Sequence, residues 1–566
     1  MTFVGLREQE EVVAWSDVQV RARRVAAALR RLGIQRGDRV ALVLRTEPAF
    51  LDLFFGATLA GAVPVPLYPP VRLGRMDEYC AATARMLEVS GARLVVAGEG
   101  IRRLLGKVEA RAAPELGIRG AEELVQERAE LEEPLAPEDL ALVQFSSGST
   151  VDPKPVALTQ ANIAAQCAAL IQLVNPSPLD RLLSWLPLYH DMGLIGCLLT
   201  SLSRPGPLVL ISPEHFLARP ALWLRAVARH RATISAAPSF AYGYAARRIA
   251  DADLAGLDLS CWRIALDGAE PISSDAVRRF GQRFARFGFD VQAITPCYGL
   301  SEATLAVTCA PIGRPLRSCR IDPERLGAAG LVSEGGREVV SVGPPIPGVE
   351  LELRGEDGRP LPEGRVGRIH VRGPSVARRC LDGTDPLRGG WLDTGDLGFA
   401  RDGELYVHGR SKDLVMVRGA NRAPEEFESC LDAIPGVRAG CAVALGFSPP
   451  GGDGEELLLL VERARPGAGA VEPALEERVT ATVLERTGVR PHTVRILAPG
   501  TLPRTSSGKL RRSEALRRFL AGALEPPRRV TPLGLALEVA RSAWARHRAA
   551  AGRGSRLASP LPIPKP

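Results

Sequence analysis

The chain has few aromatic residues, no paired cysteine motif and no long apolar run. Phe, Trp and Tyr make up only 5% of the 566 residues, and the basic run 21–24 has no interleaved aromatic side chain, which argues against a nucleic-acid groove. The ten cysteines form no Cys-x-x-Cys pair and no His lies at metal-ligand spacing from them. They therefore indicate reduced thiols in a cytoplasmic protein. The longest apolar stretch, 193–202, is shorter than the roughly 18 residues that a membrane helix needs, and no leader-like segment opens the chain.

What the chain does have is the composition of a large globular protein. Apolar residues make up 46% and charged residues 24%, which leaves ample material for buried cores. The length predicts several domains, because one domain usually takes roughly 100–200 residues. The net charge of +8 is spread along the chain, and we interpret it as a mild attraction toward acidic partners.

Helical and strand-like patterns alternate over the first 295 residues. Strands separated by helices predict an α/β fold with parallel sheets covered by helices on both faces. The predicted helices are 17–32, 48–61, 76–90, 159–173, 218–230, 239–249 and 274–287, and the predicted strands are 38–44, 62–67, 93–97, 140–145, 181–186, 232–236, 263–267 and 291–295.

The texture changes after residue 306. Residues 310–410 are rich in Gly and Pro and carry short alternating runs, which predicts a small β-rich subdomain within a large domain 1–410. A compact α+β domain is predicted over 411–521, and a C-terminal extension over 522–566 holds one amphipathic helix and a Pro-rich tail. The further predicted elements are strands 349–353, 366–372, 404–408, 441–447, 456–462 and 492–497, and helices 472–487 and 533–550.

The stretch 140–154 has the pattern of a phosphate-binding loop. An apolar strand leads into Ser146, Ser147, Gly148, Ser149 and Thr150, and Lys154 follows. Glycine lets the backbone approach a phosphate, and free N–H groups and hydroxyls can donate to its oxygens. It is not the P-loop pattern, because no Gly-Lys-Ser/Thr opens a helix. A plain Ser/Gly-rich turn is the alternative.

Five further segments carry residues suited to chemistry, and each also has a purely structural interpretation. His190 could cap a strand, Tyr298 could belong to the core, and Lys509 could be a solvated surface lysine. Asp396 and Arg410 could belong to ordinary hairpin turns with surface ion pairs. The five segments are 184–193, 267–271, 295–304, 393–413 and 503–510.

Together and in this order, the six segments resemble the adenylate-forming superfamily, and within it most closely the fatty acyl-AMP ligases. The resemblance covers roughly residues 12–520. It rests on Ser-Ser-Gly-Ser-Thr at 146–150, Leu-Pro-Leu-Tyr-His-Asp-Met-Gly-Leu-Ile-Gly at 186–196, Gly-Ala-Glu-Pro at 268–271, Pro-Cys-Tyr-Gly-Leu-Ser-Glu-Ala-Thr-Leu at 296–305 and Thr-Gly-Asp-Leu-Gly-Phe at 394–399. Pro155 departs from the family, which usually has glycine after the lysine.

An extra stretch between Thr308 and Ser341, including 320–326 and 337–340, resembles the insertion of fatty acyl-AMP ligases. Acyl-CoA synthetases usually lack it. In the family, this insertion anchors against the small domain and hinders the geometry that coenzyme A needs. The resemblance therefore implies that the acyl group goes to a holo acyl carrier protein, in polyketide, lipopeptide or lipid biosynthesis.

The implied reaction joins a fatty acid to AMP, with ATP as co-substrate, Mg²⁺ as the metal and pyrophosphate as the product. The loop 146–150 and Lys154 are expected to hold the β- and γ-phosphates. Glu302, with Thr150, is the expected Mg²⁺ ligand. Ser301 is expected to contact the α-phosphate.

The resemblance also implies a nucleoside pocket. Tyr298 offers a flat face to adenine, and Asp396 accepts from both ribose hydroxyls, with Arg410 completing the clamp. The other residues expected to line this pocket are Gly268, Ala269, Glu270 and Gly299.

Lys509 is the expected catalytic residue, because it would bridge the fatty carboxylate and the α-phosphate, where negative charges converge. His190 and Met192 are expected beside the acyl group. Ser411 and Lys412 match the family hinge on which the small domain rotates as a mobile lid.

Two other functions stay open at this point. One is a fatty acyl-CoA synthetase that uses free coenzyme A. The other is a non-catalytic relative that binds acyl chains or nucleotide as an interaction module.

Overall fold

The computed structural model describes residues 1–71, 73–125, 129–146, 153–322, 332, 335, 337–417, 420–449, 454–464, 474–505, 508–528 and 530–557, with side chains up to residue 548 in the last range. Within these residues, no helix combines the length and the apolar character required to cross a lipid bilayer.

The strands in chain order are β1 Thr2–Val4, β2 Glu10–Val12, β3 Arg39–Val43, β4 Val63–Leu67, β5 Leu94–Ala97, β6 Ile118–Gly120, β7 Leu140–Phe145, β8 Pro155–Thr159, β9 Leu182–Ser184, β10 Leu208–Ile211, β11 Ile234–Ala237, β12 Ile264–Asp267, β13 Ile294–Gly299, β14 Ala306–Cys309, β15 Ser318–Ile321, β16 Arg337–Val340, β17 Glu350–Arg354, β18 Gly367–Arg372, β19 Leu387–Arg388, β20 Trp391–Arg401, β21 Glu404–Arg410, β22 Val415–Val417, β23 Ala420–Arg422, β24 Val437–Phe447, β25 Glu456–Arg463 and β26 Thr493–Leu497.

The α-helices are α1 Trp15–Arg31, α2 Pro48–Leu59, α3 Met76–Ser90, α4 Glu99–Arg102, α5 Gly106–Ala112, α6 Ala121–Val125, α7 Gln160–Val174, α8 Thr200–Ser203, α9 Pro213–Ala218, α10 Ala221–His230, α11 Ser239–Arg248, α12 Ser274–Phe284, α13 Pro424–Glu428, α14 Leu475–Thr487, α15 Arg512–Leu520 and α16 Pro532–Leu557. A π-helix spans Met192–Leu199, and short 3₁₀ turns lie at Leu73–Arg75, Asp251–Leu254, Ala285–Phe287, Val291–Ala293 and Ser301–Ala303.

Two sheets covered by helices form the N-terminal part, as the alternating pattern predicts. The larger sheet has the order β14-β13-β12-β11-β9-β10-β1-β2, and it is parallel from β13 to β1. The smaller sheet, β4-β3-β5-β6, is parallel throughout. β4 and β5 are buried along their whole length, as expected for strands that have helices on both faces.

The region after residue 306 is β-rich, again as predicted. β17, β18, β20 and β19 form an antiparallel sheet that β21 extends from β20. Farther along, β24-β25-β26 packs with α13, α14 and α15, and two apolar clusters there draw their members only from residues 415–524. These separate cores favour a small domain beginning near residue 411, and the boundary itself stays a prediction.

Several elements differ from the sequence-based expectation. β8 lies inside the stretch predicted as a loop leading to helix 159–173, and Thr159 then caps α7 by accepting from the Asn162 N–H at 3.1 Å. The π-helix and the eleven-residue strand β20 were not predicted. Neither were β1, β2, β10, α9, α13 and α15. The predicted Pro-rich tail lies outside the described residues.

Candidate functional site

One cavity of about 650 Å³ collects most of the predicted site residues. It lies between the carboxyl ends of β12 and β13, α7, the π-helix, the β-rich sheet and the loop that carries Lys509. The predicted residues on its wall are Ser146, Lys154, His190, Met192, Ala269, Tyr298, Gly299, Ser301, Glu302, Arg410, Ser411, Lys412 and Lys509. Gly268, Glu270 and Asp396 lie just behind the wall, and the loop residues Ser147, Gly148, Ser149 and Thr150 lie outside the described residues.

The described ends of the predicted phosphate loop are joined to each other. β7 and β8 pair antiparallel, with Phe145 opposite Pro155. Above this pair, the Ser146 N–H donates to the Lys154 carbonyl at 2.9 Å, and the Lys154 N–H donates to Ser146 Oγ at 3.3 Å. Pro155 is the first residue of β8, a position at which a strand tolerates proline. This pairing of its described ends places Ser146 and Lys154 at the cavity.

Asp191 is the most important residue that the sequence analysis did not assign. It caps the π-helix, where its Oδ1 accepts from the Met192 N–H at 2.7 Å. The same Oδ1 lies 2.6 Å from His190 Nδ1, and Ser301 Oγ donates to Oδ2 at 2.5 Å. Burial raises the pKa of Asp191, but His190, Ser301 and Lys509 together hold it below its usual range. Asp191 is therefore a buried carboxylate that orients two predicted site residues.

A second polar cluster joins the predicted adenine and ribose residues. The Tyr298 hydroxyl donates to Asp396 Oδ2 at 2.7 Å, and Arg410 Nε lies 3.3 Å from Asp396 Oδ1. Asp396 and Arg410 face each other across β20 and β21. Burial raises the pKa of Asp396, an effect that Arg410 opposes, while burial and the Asp396 charge raise the pKa of Tyr298. The three side chains thus form one connected clamp.

Of the three residues in the turn 268–270, Ala269 is the one that lines the cavity. Ala269 has φ +68°, in the left-handed region that a residue with a Cβ rarely adopts. The Glu270 carboxylate accepts from the Phe240 N–H at 2.6 Å. Burial raises the pKa of Glu270, which Lys509 and Arg504 partly counter. Glu270 is thus held by a backbone N–H of α11, and its charge acts on Lys509.

Lys509 brings the small domain into the cavity. Its loop is closed by two bonds: the Lys509 N–H donates to Thr505 Oγ1 at 3.1 Å, and the Thr505 N–H donates to the Lys509 carbonyl at 2.8 Å. Burial lowers the pKa of Lys509, and the Arg410 charge adds to this, while the carboxylates of Asp191, Glu270 and Asp396 oppose it. The lysine is therefore the positive group toward which both polar clusters converge.

Glu302, the predicted Mg²⁺ ligand, is one of several carboxylates on the wall. Its backbone carbonyl accepts from the Ala377 N–H at 2.8 Å, which ties this turn to the β-rich region. Among the residues that the structure describes, no three His, Cys, Asp or Glu side chains form a metal-binding group. Thr150, the other predicted Mg²⁺ ligand, lies outside the described residues.

The other end of the cavity is apolar. Gly196 belongs to the π-helix, and a Cβ at this position would lie 2.8 Å from Leu305 Cδ2. The glycine thus allows Leu305 to pack closely against the π-helix at the cavity wall. The apolar wall comes mainly from α7, the π-helix and the neighbouring strands: Leu170, Ile171, Leu173, Val174, Leu182, Met192, Ile234, Ala236, Leu266, Leu305 and Ala306.

The predicted hinge lies at the edge of the cavity. The Ser411 N–H and Oγ donate to the Gly395 carbonyl at 3.1 and 3.0 Å, and the Asp413 N–H donates to the Arg410 carbonyl at 3.1 Å. Lys412 follows on the wall. These bonds form a tight turn between β21 and the small domain, while the hinge role of Ser411 and Lys412 stays a prediction.

The described ends of the predicted insertion are paired as the antiparallel strands β15 and β16, whereas residues 323–326 of the predicted stretch lie outside the described residues. From β16, Arg337 Nη1 lies 3.2 Å from His408 Nδ1, and its Nη2 donates to the His408 carbonyl at 3.1 Å. Burial lowers the pKa of Arg337, while the carboxylates of Glu425 and Glu426 on α13 act in the opposite direction. The charge of Arg337 in the insertion is therefore influenced by carboxylates of the small domain.

Comparisons with known proteins agree with the motifs. The family of AMP-binding enzymes matches residues 3–380. The long-chain-fatty-acid–AMP ligase FadD26 of Mycobacterium marinum is 34% identical, over 90% of this chain and 91% of that protein. A Caulobacter vibrioides protein provisionally named an acyl-CoA synthetase is 37% identical, over 91% of each chain. A structure from a study of fatty acyl-adenylate ligases of E. coli and L. pneumophila superposes with a TM-score of 0.86 at 33% identity, over 93% of this chain and 96% of that one.

Proposed function

The chain belongs to the AMP-binding enzyme family, and we propose that it joins a fatty acid to AMP and passes the acyl group to a carrier protein. ATP supplies the AMP, and the acceptor is the phosphopantetheine thiol of a holo acyl carrier protein. The observation that carries the proposal is a single cavity with Lys509 at a polar end and an apolar channel at the other. The similarity to FadD26, named a long-chain-fatty-acid–AMP ligase, supports the same substrates.

In the first step, a carboxylate oxygen of the fatty acid attacks the α-phosphorus of ATP. The new O–P bond forms while the bond to the β-phosphate oxygen breaks, and pyrophosphate leaves. A carboxylate is already a nucleophile at neutral pH, so the step depends on positioning and on charge neutralisation. Lys509 supplies positive charge where the carboxylate and the α-phosphate meet. Ser301, oriented by Asp191, contacts the α-phosphate.

The nucleotide is held by groups on three separate segments. Tyr298 offers its ring to adenine, and Asp396 with Arg410 binds the ribose. Ser146 and Lys154, next to the paired ends of β7 and β8, hold the terminal phosphates. Glu302 is the residue that would hold Mg²⁺, which typically takes one or two carboxylates together with phosphate oxygens and neutralises their charge when bound.

In the second step, the thiol sulfur attacks the acyl carbonyl carbon. The carbon–oxygen bond to AMP breaks, AMP leaves, and the thiol proton is released to solvent. The small domain turns about Ser411 and Lys412 between the two steps, so that the thiol reaches the site that Lys509 occupied. His190 lies beside the acyl carbonyl.

The acceptor is the finer part of the proposal. Arg337 of the insertion contacts His408 of the large domain, and the carboxylates of Glu425 and Glu426 in the small domain act to raise its pKa against the effect of burial. This half-buried guanidinium supports a role of the insertion in favouring one domain arrangement and excluding free coenzyme A. Coenzyme A is the alternative acceptor, because the Caulobacter relative is provisionally named an acyl-CoA synthetase.

The test offers both acceptors to the same adenylate. The enzyme is loaded with a long fatty acid and ATP, pyrophosphate release is measured, and coenzyme A or a holo acyl carrier protein is added. We expect mass spectrometry to find the acyl thioester on the carrier protein and almost none on coenzyme A. Efficient thioester formation on coenzyme A would contradict the proposed carrier-protein acceptor, but it would not contradict the proposed adenylation step.

Deleting residues 320–340 sharpens the same test. If the insertion excludes coenzyme A, the deletion and the milder Arg337→Ala should both raise coenzyme A transfer and leave pyrophosphate release unchanged. Arg314→Ala, an exposed arginine ahead of β15, is the matched control. Unchanged acceptor choice in the deletion variant would show that the insertion does not select the acceptor.

A further inference from the structure

The C-terminal helix α16 is firmly seated on the large domain. The Gly106 N–H of α5 donates to Ser542 Oγ at 2.7 Å, and Arg546 Nε lies 2.9 Å from Glu109 Oε2. Ser542 is fully buried, and a Cβ at position 106 would lie 1.8 Å from the Ser542 carbonyl oxygen. Glycine is thus required for this close approach of the two helices. One face of α16 is therefore packed against α5, and this packing fixes the orientation of the helix.

The opposite face of α16 is apolar and exposed. Leu533, Leu537 and Trp544 expose 72%, 50% and 61% of their surface, and Ala540 is exposed between them. These four residues follow each other at steps of four, three and four, so they form one stripe along the helix. This spacing is the seam with which one helix packs against another. An apolar stripe held outward on a fixed helix is an interaction surface.

The charges beside this stripe are positive. Arg541 and Arg548 lie seven residues apart along one edge, and Arg548 is stacked over the Trp544 ring at 4.7 Å. Glu538 is the acidic residue of the described part of α16, and its Oε1 is bound by Lys107 at 2.6 Å. Its other oxygen is 3.8 Å from Arg541. The edge therefore presents net positive charge to whatever covers the stripe.

The position of α16 ties it to the moving part of the enzyme. The connection from α15 crosses the large domain, where Arg75 donates to the Glu525 carbonyl at 2.9 Å and the Arg528 N–H donates to the Gly74 carbonyl at 3.3 Å. Nearby, Arg518 of α15 lies 2.9 Å from a Glu78 oxygen. A partner on α16 thus lies next to the junction between the two domains.

We propose that the outward face of α16 is the docking surface for an acidic, helical carrier protein, an inference that rests on the proposed function. An acidic helix satisfies both properties of the surface, since its apolar residues cover the stripe and its carboxylates meet Arg541 and Arg548. A second copy of this chain fits less well, because its own arginines would face these two. The side chains next to the stripe, Ala536 and Ala543, are small, so this face carries only three large apolar residues, fewer than the broad apolar face with which a helix lies in a membrane.

The experiment measures transfer and binding separately with the full chain. The probe is a strongly acidic holo acyl carrier protein, and the variants are Trp544→Ala and the double charge reversal Arg541→Glu with Arg548→Glu. Each should raise the KM for the carrier protein about tenfold or more, as expected when an aromatic anchor or a complementary charge pair is lost. Pyrophosphate release with fatty acid and ATP should stay unchanged, which also shows that the variants are folded.

Two controls and a salt series isolate the surface. Leu484→Ala on α14 and Arg359→Glu in an exposed turn remove an exposed leucine and reverse an exposed charge elsewhere. Neither should change the KM. For the wild type the KM should rise with salt, and the double reversal should flatten that dependence. Calorimetry with the apo carrier protein, which has no thiol arm, should give the same ranking of affinities.

Each other outcome overturns the inference. Wild-type transfer with an equal KM in both variants removes α16 from carrier binding and leaves the proposed function standing. Pyrophosphate release without any transfer to the carrier instead defeats the acceptor part of the proposed function. A dimer in light scattering that Trp544→Ala dissociates assigns the stripe to a second copy. Sedimentation with phosphatidylglycerol vesicles that the same change abolishes assigns it to a membrane.

Discussion

The two ends of the cavity are built in different ways. At the polar end, side chains are held in place by hydrogen bonds and charges, as in Tyr298 with Asp396 and Asp191 with Ser301. At the apolar end, packing mainly sets the shape, and Leu305 lies close against Gly196. The polar end fixes the orientation of the reacting groups, and the apolar end limits the size of the fatty acid. Changes at the polar end should therefore slow the reaction for every fatty acid, whereas changes at the apolar end should alter which fatty acid is used.

The largest effect is expected from Lys509→Ala. The positive charge at the point where carboxylate and α-phosphate meet is lost, and removal of one such group typically costs up to about a thousandfold in rate. Pyrophosphate release should fall by this factor for short and long fatty acids alike. Lys107→Ala, a lysine outside the cavity, is the control. If the wild type releases no pyrophosphate and Lys509→Ala behaves identically, the protein is a binding module and not an enzyme.

A smaller effect, still at the polar end, is expected from Asp191→Asn. The substitution removes the charge that orients His190 and Ser301, and a hydrogen bond to a charged group is worth about 2 kcal/mol, or about thirtyfold in rate. The loss should be equal across a panel of chain lengths. Asp357→Asn, in an exposed turn, should be silent. A loss confined to long chains would place Asp191 in the acyl channel and break the distinction between the two ends.

The smallest effect on rate is expected at the apolar end, from Gly196→Val. The new side chain collides with Leu305 and displaces it into the channel that both residues line, and methylene-scale steric changes are worth about 10- to 200-fold in discrimination. Long fatty acids should lose about tenfold in kcat/KM, while short ones keep the wild-type value. Adding Leu305→Ala should restore the long ones. Equal losses at all lengths, with no rescue by Leu305→Ala, would mean that Gly196 serves folding and not chain length.

Much of the fold was predictable, because local patterns decide it. The predicted helix 76–90 and strand 140–145 match α3 and β7 residue for residue, since each has a clear period and clear ends. β8 was missed because it opens with Pro155, which reads as a break. β20 was missed because Thr-Gly-Asp at 394–396 has the composition of a turn, although the partner strands β18 and β21 keep it extended.

The site was predictable where a motif carries it and not where distant segments meet. The motifs led to Tyr298, Glu302 and Lys509, which do share one cavity. The role of Asp191 depends on Ser301, 110 residues away in sequence, so no local pattern reveals it. In the same way, sequence alone could not show that Glu270 accepts from the backbone N–H of Phe240, 30 residues before it.

A cavity that is continuous from the nucleotide end to the acyl end also retains what its two substrates become. An acyl-adenylate is a mixed anhydride that water cleaves, and here it would be gripped at both of its ends. The acyl-adenylate can dissociate only when its nucleotide end and its acyl end are released together. A ligand held at two sites therefore dissociates more slowly than either half would alone. The protein would then both form the acyl-adenylate and hold it bound until an acceptor arrives.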